Sequence, residues 1–495
     1  MLLLGIDLGT SSIKVSVVDA ATQRTKVSVQ YPDKETPIIS LQPGWAEQSP
    51  ELWWQHVQQA IRKANASGLY DPADIAAIGI AYQMHGLVVV DKDQQVLRDS
   101  IIWCDSRAVN IGNKAFADIG EGKCLSALLN SPGNFTASKL AWVKANEPDV
   151  FQKIHKVMLP GDFIAMKLTG SVTTSNSALS EGIFWDFKNH CLSQDVMNYY
   201  GFSESLFGDV VDVFSEHGHL STSAGKQLSL QPGIPVSYKS GDQPNNAFSL
   251  NVMQPGEVAA TAGTSGVIYG ISDSLKYDQQ SRVNTFAHVN HSSEDLRLGI
   301  LLCINGTGIL NSWVKNNLAG GLGYPEINHL SSEIAAGSEG LRVLPFGNGA
   351  ERMLNNRIVG SHFCNLDFNR HSQAHLFRAA QEGIAFAFRY GLDILRENGM
   401  NPSVIRAGKT NLFLSDVFTE AFVNACDVPV EFYNNDGSVG AALGAGVGSG
   451  IFSSQQEALS KMKPISVVEP TQGTLYNSFF HEWKKLLEVQ LKNQN

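Results

Sequence analysis

Cysteine is scarce in this sequence, and its cysteines are not paired along the chain. The 495 residues contain six of them, none in a CxxC spacing: Cys104, Cys124, Cys191, Cys303, Cys364 and Cys426. This pattern indicates neither a zinc site nor a disulfide framework. We therefore expect reduced thiols and a cytoplasmic protein.

Long apolar runs and basic clusters are also missing. The apolar start at Met1–Leu4 is far shorter than the apolar region of a signal peptide, and no stretch approaches the roughly 20 apolar residues of a transmembrane helix. The formal net charge is −10, and no cluster of Lys and Arg stands out. We therefore expect neither a membrane nor a nucleic acid as a partner.

The composition that remains is that of a globular α/β protein too long for a single core. Hydrophobic residues make up 43% of the chain and charged residues 17%. A length of 495 residues favours two domains. We place them at 1–245 and 246–495, with an amphipathic helix at the end of the second.

Helical periodicity is clearest in the second half. The longest helix is expected over Ser372–Glu397, where apolar residues recur with a helical period and Ser372 is a candidate N-cap. The tail from Ser478 to Leu491 is amphipathic, and a helix docked on a core is favoured over one that binds a partner. In the first half, we expect Ala137–Thr169 to be helical.

A short pattern that occurs twice is the most informative feature of the chain. Gly9-Thr10-Ser11 and Gly263-Thr264-Ser265 each lie between two apolar runs, which predicts a β-hairpin whose tight turn exposes backbone N–H groups. The copies lie 254 positions apart, about half the chain, which suggests an internal duplication. Two such turns can hold one polyphosphate from both sides, so the pattern predicts a two-lobed nucleotide-binding protein.

Two charged residues flank the first turn. Asp7 directly precedes the glycine turn, where a carboxylate can organise Mg²⁺ beside phosphate oxygens. Lys14 can reach a phosphate as a point charge, and Thr10 and Ser11 can donate hydrogen bonds from backbone and hydroxyl groups. The alternative is an ordinary hairpin with a polar turn, and the second copy of the turn argues against it.

Asp242 is the candidate general base. It follows a strand-like segment and is succeeded by Gln243 and small or amide residues. Phosphoryl transfer to an alcohol needs a hydroxyl held in line with the γ-phosphate and a group that accepts its proton, and one carboxylate can do both. Gln243 is a candidate substrate contact. Spacing alone leaves open that Asp242 is a helix cap or turn residue.

Polar residues follow two further predicted strands. Gln83-Met84-His85 comes at the carboxyl end of a buried strand, where ligands collect in open α/β sheets, and suits hydrogen bonding to sugar hydroxyls. A structural role for His85 is the alternative. Asp105 and Arg107 follow the next strand, and they either bind hydroxyls or pair with each other.

The order of these segments resembles the FGGY family of carbohydrate kinases over roughly Leu3–Gly450. The matching segments are Gly5–Thr10, Gln83–Gly86, Trp103–Arg107, Gly241-Asp242, Ala262–Gly266 and the helix around Glu382-Gly383. The resemblance implies an actin/hexokinase/Hsp70-like fold of two ribonuclease H-like domains that close over ATP-Mg²⁺ and a sugar. Within the family, Gln83-Met84-His85-Gly86 is similar to the pattern of members that phosphorylate xylulose.

The resemblance also implies roles for individual residues. Met84 and His85 would contact the ketose, Asp242 would be the catalytic base for its terminal hydroxyl, and Asp7 would hold the metal through water. Phosphates would be cradled by Gly9, Thr10, Ser11, Gly263, Thr264 and Ser265. Asn411 and the Asn435-Asp436-Gly437 turn would lie near the adenosine, although Arg406–Asn411 stands where the family usually has a run of glycines.

The expected activity is therefore ATP-dependent phosphorylation of a ketose, D-xylulose to D-xylulose 5-phosphate, and analogy suggests a homodimer. Related members act on other substrates, so sedoheptulose, ribulose, gluconate and glycerol remain alternatives. A third reading is an actin-like ATPase that uses nucleotide to change shape. Such a protein needs no sugar-facing segment and no equivalent of Asp242.

Overall fold

The structure is a computed structural model that describes residues 1–434 and 436–493. Strands and helices are numbered in chain order. Up to residue 250 the elements are β1 (Leu2–Leu8), β2 (Ile13–Asp19), β3 (Thr25–Tyr31), β4 (Glu47–Gln48), α1 (Pro50–Asn65), β5 (Ile75–Tyr82), β6 (Val88–Val90), β7 (Ser100–Ile101), α2 (Val109–Ile119), α3 (Glu121–Ala127), α4 (Thr136–Asn146), α5 (Pro148–Phe151), β8 (Lys156–Met158), α6 (Pro160–Thr169), β9 (Thr173–Thr174), α7 (Asn176–Glu181), β10 (Trp185–Asp186), β11 (Cys191–Leu192), α8 (Gln194–Tyr200), β12 (Asp209–Val210), α9 (Thr222–Leu228), β13 (Val236–Gly241) and α10 (Asp242–Ser249).

The second half continues the same alternation of strands and helices. Its elements are β14 (Glu257–Ala262), β15 (Gly266–Ser272), β16 (Asn284–Ala287), β17 (Leu298–Ile304), α11 (Thr307–Leu318), α12 (Tyr324–Ser332), β18 (Arg342–Phe346), β19 (Gly360–Cys364), α13 (Gln373–Glu397), β20 (Val404–Gly408), α14 (Asp416–Cys426), β21 (Val430–Tyr433), α15 (Gly437–Gly448), α16 (Gln455–Ala458), β22 (Ser466–Val468) and α17 (Gly473–Lys492). Short 3₁₀ helices lie at Pro72–Asp74, Glu204–Leu206, Ser338–Gly340, Glu351–Leu354 and Asn411–Leu414.

Two large mixed sheets share one arrangement of five strands. The first sheet has the order β13-β5-β1-β2-β3, and the second contains β21-β20-β14-β15-β17 in the same order. In each, the first strand of the hairpin pairs antiparallel with the second and parallel with a later strand. The next pairing outward is parallel in both sheets. This correspondence is what an internal duplication of the hairpin segment produces.

Helix α15 joins the two halves because it packs directly on the first sheet. Its Gly- and Ala-rich surface lies so close that a Cβ atom on Gly5 would be 1.8 Å from Ser438 O, and one on Gly79 would be 2.0 Å from Ala441 O. All strands of the first sheet precede residue 246 and all strands of the second follow it. Helix α15 follows residue 246 in the chain but packs on the sheet that precedes it, so the domain boundary at 245/246 stays a prediction.

Most of the expected helices are present, and one region differs. Helix α13 at Gln373–Glu397 confirms the longest predicted helix, with Ser372 as its N-cap. Helix α17 is docked on the core through Tyr476, Phe480, Trp483 and Leu487, as expected. The stretch Ala137–Thr169 was expected to be continuously helical, and this is wrong: β8 interrupts it by pairing with β6. The proline at the first position of α5 and of α6 also restarts the helix there.

The sequence predicted reduced thiols and no transmembrane helix. All six cysteines are free thiols. In the part of the chain that the structure describes, no helix has both the length and the apolarity needed to cross a membrane.

Candidate active site

The candidate site begins with two carboxylates at one edge of the first sheet. Asp7 in β1 is the register partner of Ala81 in β5, and Ala81 is the partner of Ser240 in β13. Asp242 follows Ser240 by two residues and starts α10. Because parallel strands end at the same edge of a sheet, the fold brings these two acids together.

Asp242 is the first residue of α10 and is half-buried. Burial and the charge of Asp7 raise its pKa to about 7, although hydrogen bonds from the backbone and side chain of Gln243 oppose the shift. Gln243, expected to contact substrate, is thus also a partner of Asp242. A carboxylate with a pKa near neutral is suited to accept a proton at physiological pH.

Asp7 has similar surroundings. Burial raises its pKa to about 6, the neighbouring Lys14 ammonium opposes this, and Asp436 adds to it. A Cβ atom on Gly437 would lie 2.6 Å from Asp7 Oδ2, so the absence of a side chain at Gly437 keeps this carboxylate accessible. The site thus concentrates acidic groups without an equal number of cations.

These acids fit a magnesium ion that is held mainly by phosphate. Among residues 1–434 and 436–493, no three His, Cys, Asp or Glu side chains cluster closely enough to form an all-protein metal site. Mg²⁺ usually keeps several waters and binds one or two carboxylates together with substrate phosphates. The partly uncompensated oxygen donors of Asp7 and its neighbour Asp242 match that donor set.

His85 lies beyond β5 in a fixed, uncharged state. Its backbone is left-handed (φ 63°). Its N–H donates to Glu181 Oε1 (2.7 Å), and its carbonyl accepts from Lys139 Nζ (2.8 Å). Burial, with the charges of Lys139 and Arg352, lowers the pKa of its imidazole to about 3. Its Nδ1–H faces the carbonyl of Glu181 (3.2 Å), which leaves Nε2 of the neutral ring to accept a hydrogen bond from a sugar hydroxyl.

Met84 precedes His85 in the chain and packs against Gly241, the residue before Asp242. A Cβ atom on Gly241 would be 2.8 Å from Met84 Cγ and equally close to Glu181 Oε2. Met84 and Glu181 therefore both pack against the residue that precedes Asp242. The sequence-predicted residues Met84, His85 and Asp242 are thus brought together.

Glu181 and Lys139 are residues that sequence reasoning missed. Glu181 is fully buried at the end of α7, and burial raises its pKa well above the usual range, with the charge of Asp242 adding to the shift. Lys139 is completely inaccessible, donates to the carbonyls of His85 and Ile102 (2.8 and 3.0 Å), and has a pKa lowered to about 7 by burial. Neither belongs to a recognisable motif, so no pattern signalled them.

Gln83 connects the strand end to the first turn. Its Oε1 accepts from Thr10 Oγ1 (3.0 Å), and its Nε2 donates to Gln48 Oε1 (3.3 Å). Gln48 in turn donates to the carbonyl of Thr10 (2.8 Å), and Trp103 Nε1 donates to Thr10 Oγ1 (2.9 Å). These contacts couple the first turn, which includes Gly9 and Ser11, to the segment Gln83–His85.

Asp105 differs from its expected role as a substrate contact. Its carboxylate is paired with Arg107 (2.7 Å) and accepts the N–H of Ala46 (2.6 Å). Arg107 also contacts Glu47 and lies 3.8 Å from the ring centroid of Trp45. The alternative, that Asp105 and Arg107 pair with each other, describes the structure, because this buried pair satisfies both charges.

The second turn lies against the start of α11. Gly308 N donates to Gly263 O (3.0 Å), and Ile309 N donates to Thr264 O (3.2 Å). Ser265 Oγ donates to Asn305 Oδ1 (3.4 Å). A Cβ atom on Gly263 would meet nothing closer than Asn411 Nδ2 at 3.7 Å, so the protein itself leaves this position open.

A cavity of about 700 Å³ opens beside this turn. Its mixed lining of amides, aromatic rings and aliphatic groups suits a nucleoside. The sequence pointed to Gly263, Thr264 and Asn411 in it, whereas Asn311, Trp313, Asn316, Tyr324 and Asn328 were missed. Of the expected Asn435-Asp436-Gly437 turn, Asn435 is outside the described residues, and Gly437 lies beside Asp7.

Helix α10 contacts both the second hairpin and the start of α15. Asn246 Nδ2 donates to Thr261 Oγ1 in β14 (3.4 Å), and Asn245 Nδ2 donates to Gly437 O (2.9 Å). Asp242 starts the same helix and lies within electrostatic reach of Asp7 in the first hairpin.

The arrangement defines a two-lobed, actin/hexokinase-like phosphotransferase, and comparison with known proteins gives its family. Residues 2–249 match the N-terminal domain of the FGGY family of carbohydrate kinases, and residues 258–449 match the C-terminal domain. The chain belongs to this family. It is therefore a sugar phosphotransferase, and the family implies ATP as its phosphoryl donor.

Two similar proteins are xylulose kinases, and two similar structures are named for different substrates. The chain is 27% identical to a xylulose kinase from Escherichia coli (strain K12) over 469 residues, covering 93% of this chain and 92% of the relative. It is 28% identical to a xylulose kinase from Bacillus subtilis (strain 168), covering 92% and 89%. Structures of a xylulose kinase from Rhodospirillum rubrum (TM-score 0.88, 23% identity, 99% of each chain) and a gluconate kinase from Lactobacillus acidophilus (0.90, 22%, 100% and 99%) share the fold.

Proposed function

We propose that this protein phosphorylates D-xylulose to D-xylulose 5-phosphate with ATP and Mg²⁺. The observation that carries the proposal is the placement of the half-buried Asp242 beside Asp7, with a pKa raised to about 7. The xylulose kinases to which the chain is similar over nine-tenths of its length support the choice of sugar.

The proposed mechanism assigns the proton to Asp242. The ketose binds against Met84 and His85, with its terminal hydroxyl donating a hydrogen bond to the ionised carboxylate of Asp242. As that oxygen attacks the γ-phosphorus, Asp242 takes its proton, and the bond from phosphorus to the bridging oxygen of ADP breaks. Thr10, Ser11, Thr264 and Ser265 hold phosphate oxygens from the two sides of the cleft.

The proposed metal site is at Asp7. A magnesium ion bound to the phosphates would supply charge neutralisation, and Asp7 would hold it through a bound water. Lys14, whose charge lowers the pKa of Asp7, would keep this carboxylate ionised near neutral pH.

A panel of substrates tests the proposal. ADP release is measured with D-xylulose, ribulose, sedoheptulose, gluconate and glycerol at equal concentrations, and without any of them. We expect the highest kcat/KM with D-xylulose. A preference for another substrate would overturn the assignment of the sugar. ATP hydrolysis that no sugar stimulates would favour the shape-changing ATPase instead.

The cytoplasmic location and the homodimer are two further proposals. Six free thiols are consistent with a reducing, cytoplasmic setting. A homodimer rests on analogy alone, and the mass measured by light scattering decides it.

A further inference from the structure

Arg352 lies at the sugar side of the cleft although it comes from the second half of the chain. It belongs to the 3₁₀ helix Glu351–Leu354, which follows β18. Its guanidinium carbon is 5.2 Å from the ring centroid of Phe135. Its Nη2 is so close to the backbone of Gly133 that a Cβ atom there would be 2.4 Å away.

Phe135 belongs to the ring cluster that surrounds His85. The centroids of His85 and Phe135 are 4.8 Å apart, and those of His85 and Phe286 are 5.3 Å apart. The positive charge of Arg352 contributes to the low pKa of His85, which places the two groups within electrostatic reach of each other. A cation from the second half therefore faces the sugar-binding segment of the first.

The guanidinium has more donors than the protein uses. Its hydrogen bond within the chain runs from Nη1 to Ser281 Oγ at a long 3.3 Å. Within residues 1–434 and 436–493, no carboxylate lies within ion-pairing distance of it. Burial lowers the pKa of Arg352 to about 10, and the charge of Glu351 only partly offsets this. A half-buried arginine with five N–H donors and one weak acceptor is poised to bind an oxygen-rich ligand.

The position of Arg352 is also connected to the second phosphate turn. Ser265 Oγ donates to Asn305 Oδ1 (3.4 Å), and Asn305 Nδ2 donates to Glu351 Oε1 (3.2 Å). Glu351 has a left-handed backbone (φ 45°), an unfavourable conformation for a residue with a side chain. Such strain persists where surrounding contacts hold it in place, and it is common at ligand-binding sites.

We propose that Arg352 is a substrate-binding residue that donates hydrogen bonds to sugar oxygens at the His85 end of the substrate. We further infer that the Ser265–Asn305–Glu351 chain couples its placement to nucleotide binding. Both inferences rest on the proposed function. They add a specificity-determining contact from the opposite lobe to those made by Met84, His85 and Asp242.

The test measures the Kd for D-xylulose by calorimetry, with and without a non-hydrolysable ATP analogue and Mg²⁺. Loss of a charge-assisted hydrogen bond predicts that R352Q weakens xylulose binding about 10- to 100-fold, with R352K in between. The Kd for the ATP analogue alone stays unchanged. R370Q is the matched control, because Arg370 is an exposed arginine of the same half that pairs with Glu339 on the surface.

The variant N305A tests the coupling between nucleotide binding and sugar binding separately. We expect the ATP analogue to tighten xylulose binding in the native protein, and this effect to be reduced in N305A without loss of affinity for xylulose alone. A Kd for xylulose in R352Q within twofold of the native value, in a protein that melts normally, would overturn the substrate contact. Equal tightening in N305A and the native protein would overturn the coupling. Binding of gluconate, but not xylulose, to the native protein would instead overturn the proposed function.

Discussion

The two hairpins share their strand pairing and differ in turn length and in side chains. Asp7 pairs with Lys14 across the first hairpin, and Thr261, the equivalent residue of the second hairpin, pairs with Val267. Residues 9–12 separate the strands of the first hairpin, and residues 263–265 separate those of the second. The first turn is therefore flanked by an acidic and a basic side chain, and the second by a hydroxyl and an aliphatic side chain.

The same asymmetry recurs where the equivalent parallel strands end. His85 follows β5 and Asn411 follows β20, and both have a left-handed backbone (φ 63° and 53°). Asp242 begins the helix after β13, whereas Gly437 begins the helix after β21. The first half thus carries the titratable groups, and the second half carries an amide, a glycine and an open cavity. We therefore predict that the first half of the chain carries out the reaction chemistry and that the second half binds the nucleotide.

The largest loss of activity is expected from Asp242→Asn, in the half of the chain that carries the titratable groups. Asparagine keeps the size of the side chain and cannot accept the hydroxyl proton, so kcat falls by about 10²–10⁴-fold. Binding of the ATP analogue is unchanged. In the native enzyme, kcat/KM for the sugar falls as the pH drops through about 7, because protonation of Asp242 removes the base.

Steady-state kinetics across pH 5.5–9 check both expectations. Near-native kcat in Asp242→Asn would remove this residue from the chemistry. An acid limb that stays near pH 4 in the native enzyme would show that Asp242 titrates like an exposed carboxylate.

An intermediate effect is expected from the matched pair Asp7→Asn and Thr261→Val. A carboxylate that holds a metal through water typically contributes roughly 10- to 100-fold to metal affinity or activity. Asp7→Asn should therefore raise the Mg²⁺ concentration needed for half-maximal activity by that factor. Thr261→Val, at the equivalent position of the other hairpin, should leave the Mg²⁺ dependence unchanged. The two variants are compared in Mg²⁺ titrations of ADP release, and equal shifts would remove the asymmetry between the hairpins.

Motifs in the sequence were enough to predict both hairpins and to single out the two acids, Asp7 and Asp242, that the fold brings together. Alternating apolar residues on either side of a glycine turn are a local signal, so both hairpins followed from the sequence. The same holds for α13, whose apolar period and Ser372 cap are local features. The interruption by β8 was missed because its cause, pairing with β6 over 60 residues away, is not local.

The residues that complete the site could not be predicted for the same physical reason. Glu181, Lys139 and Arg352 come from separate elements, and their contacts with this region arise only in the folded chain. Asp105 shows the converse. Its position after a strand suggested a ligand contact, but the neighbouring Arg107 and the N–H of Ala46 take up its oxygens.

The smallest effect on kinetics is expected from Gly263→Ala, in the turn of the second hairpin. A Cβ atom there has no protein neighbour closer than 3.7 Å, so the fold should tolerate it and the melting temperature should not change. If the second turn holds phosphate, the added methyl group crowds the ligand at a cost of about 1 kcal/mol, or roughly fivefold in the KM for ATP. Gly122→Ala is the control, since a Cβ atom on this helical glycine also meets nothing within 4 Å, in an element that holds no residue of the proposed site. Steady-state kinetics at saturating sugar give both KM values. An unchanged KM for ATP in Gly263→Ala would mean that phosphate does not approach this turn, and that the two hairpins share a strand arrangement without sharing a ligand.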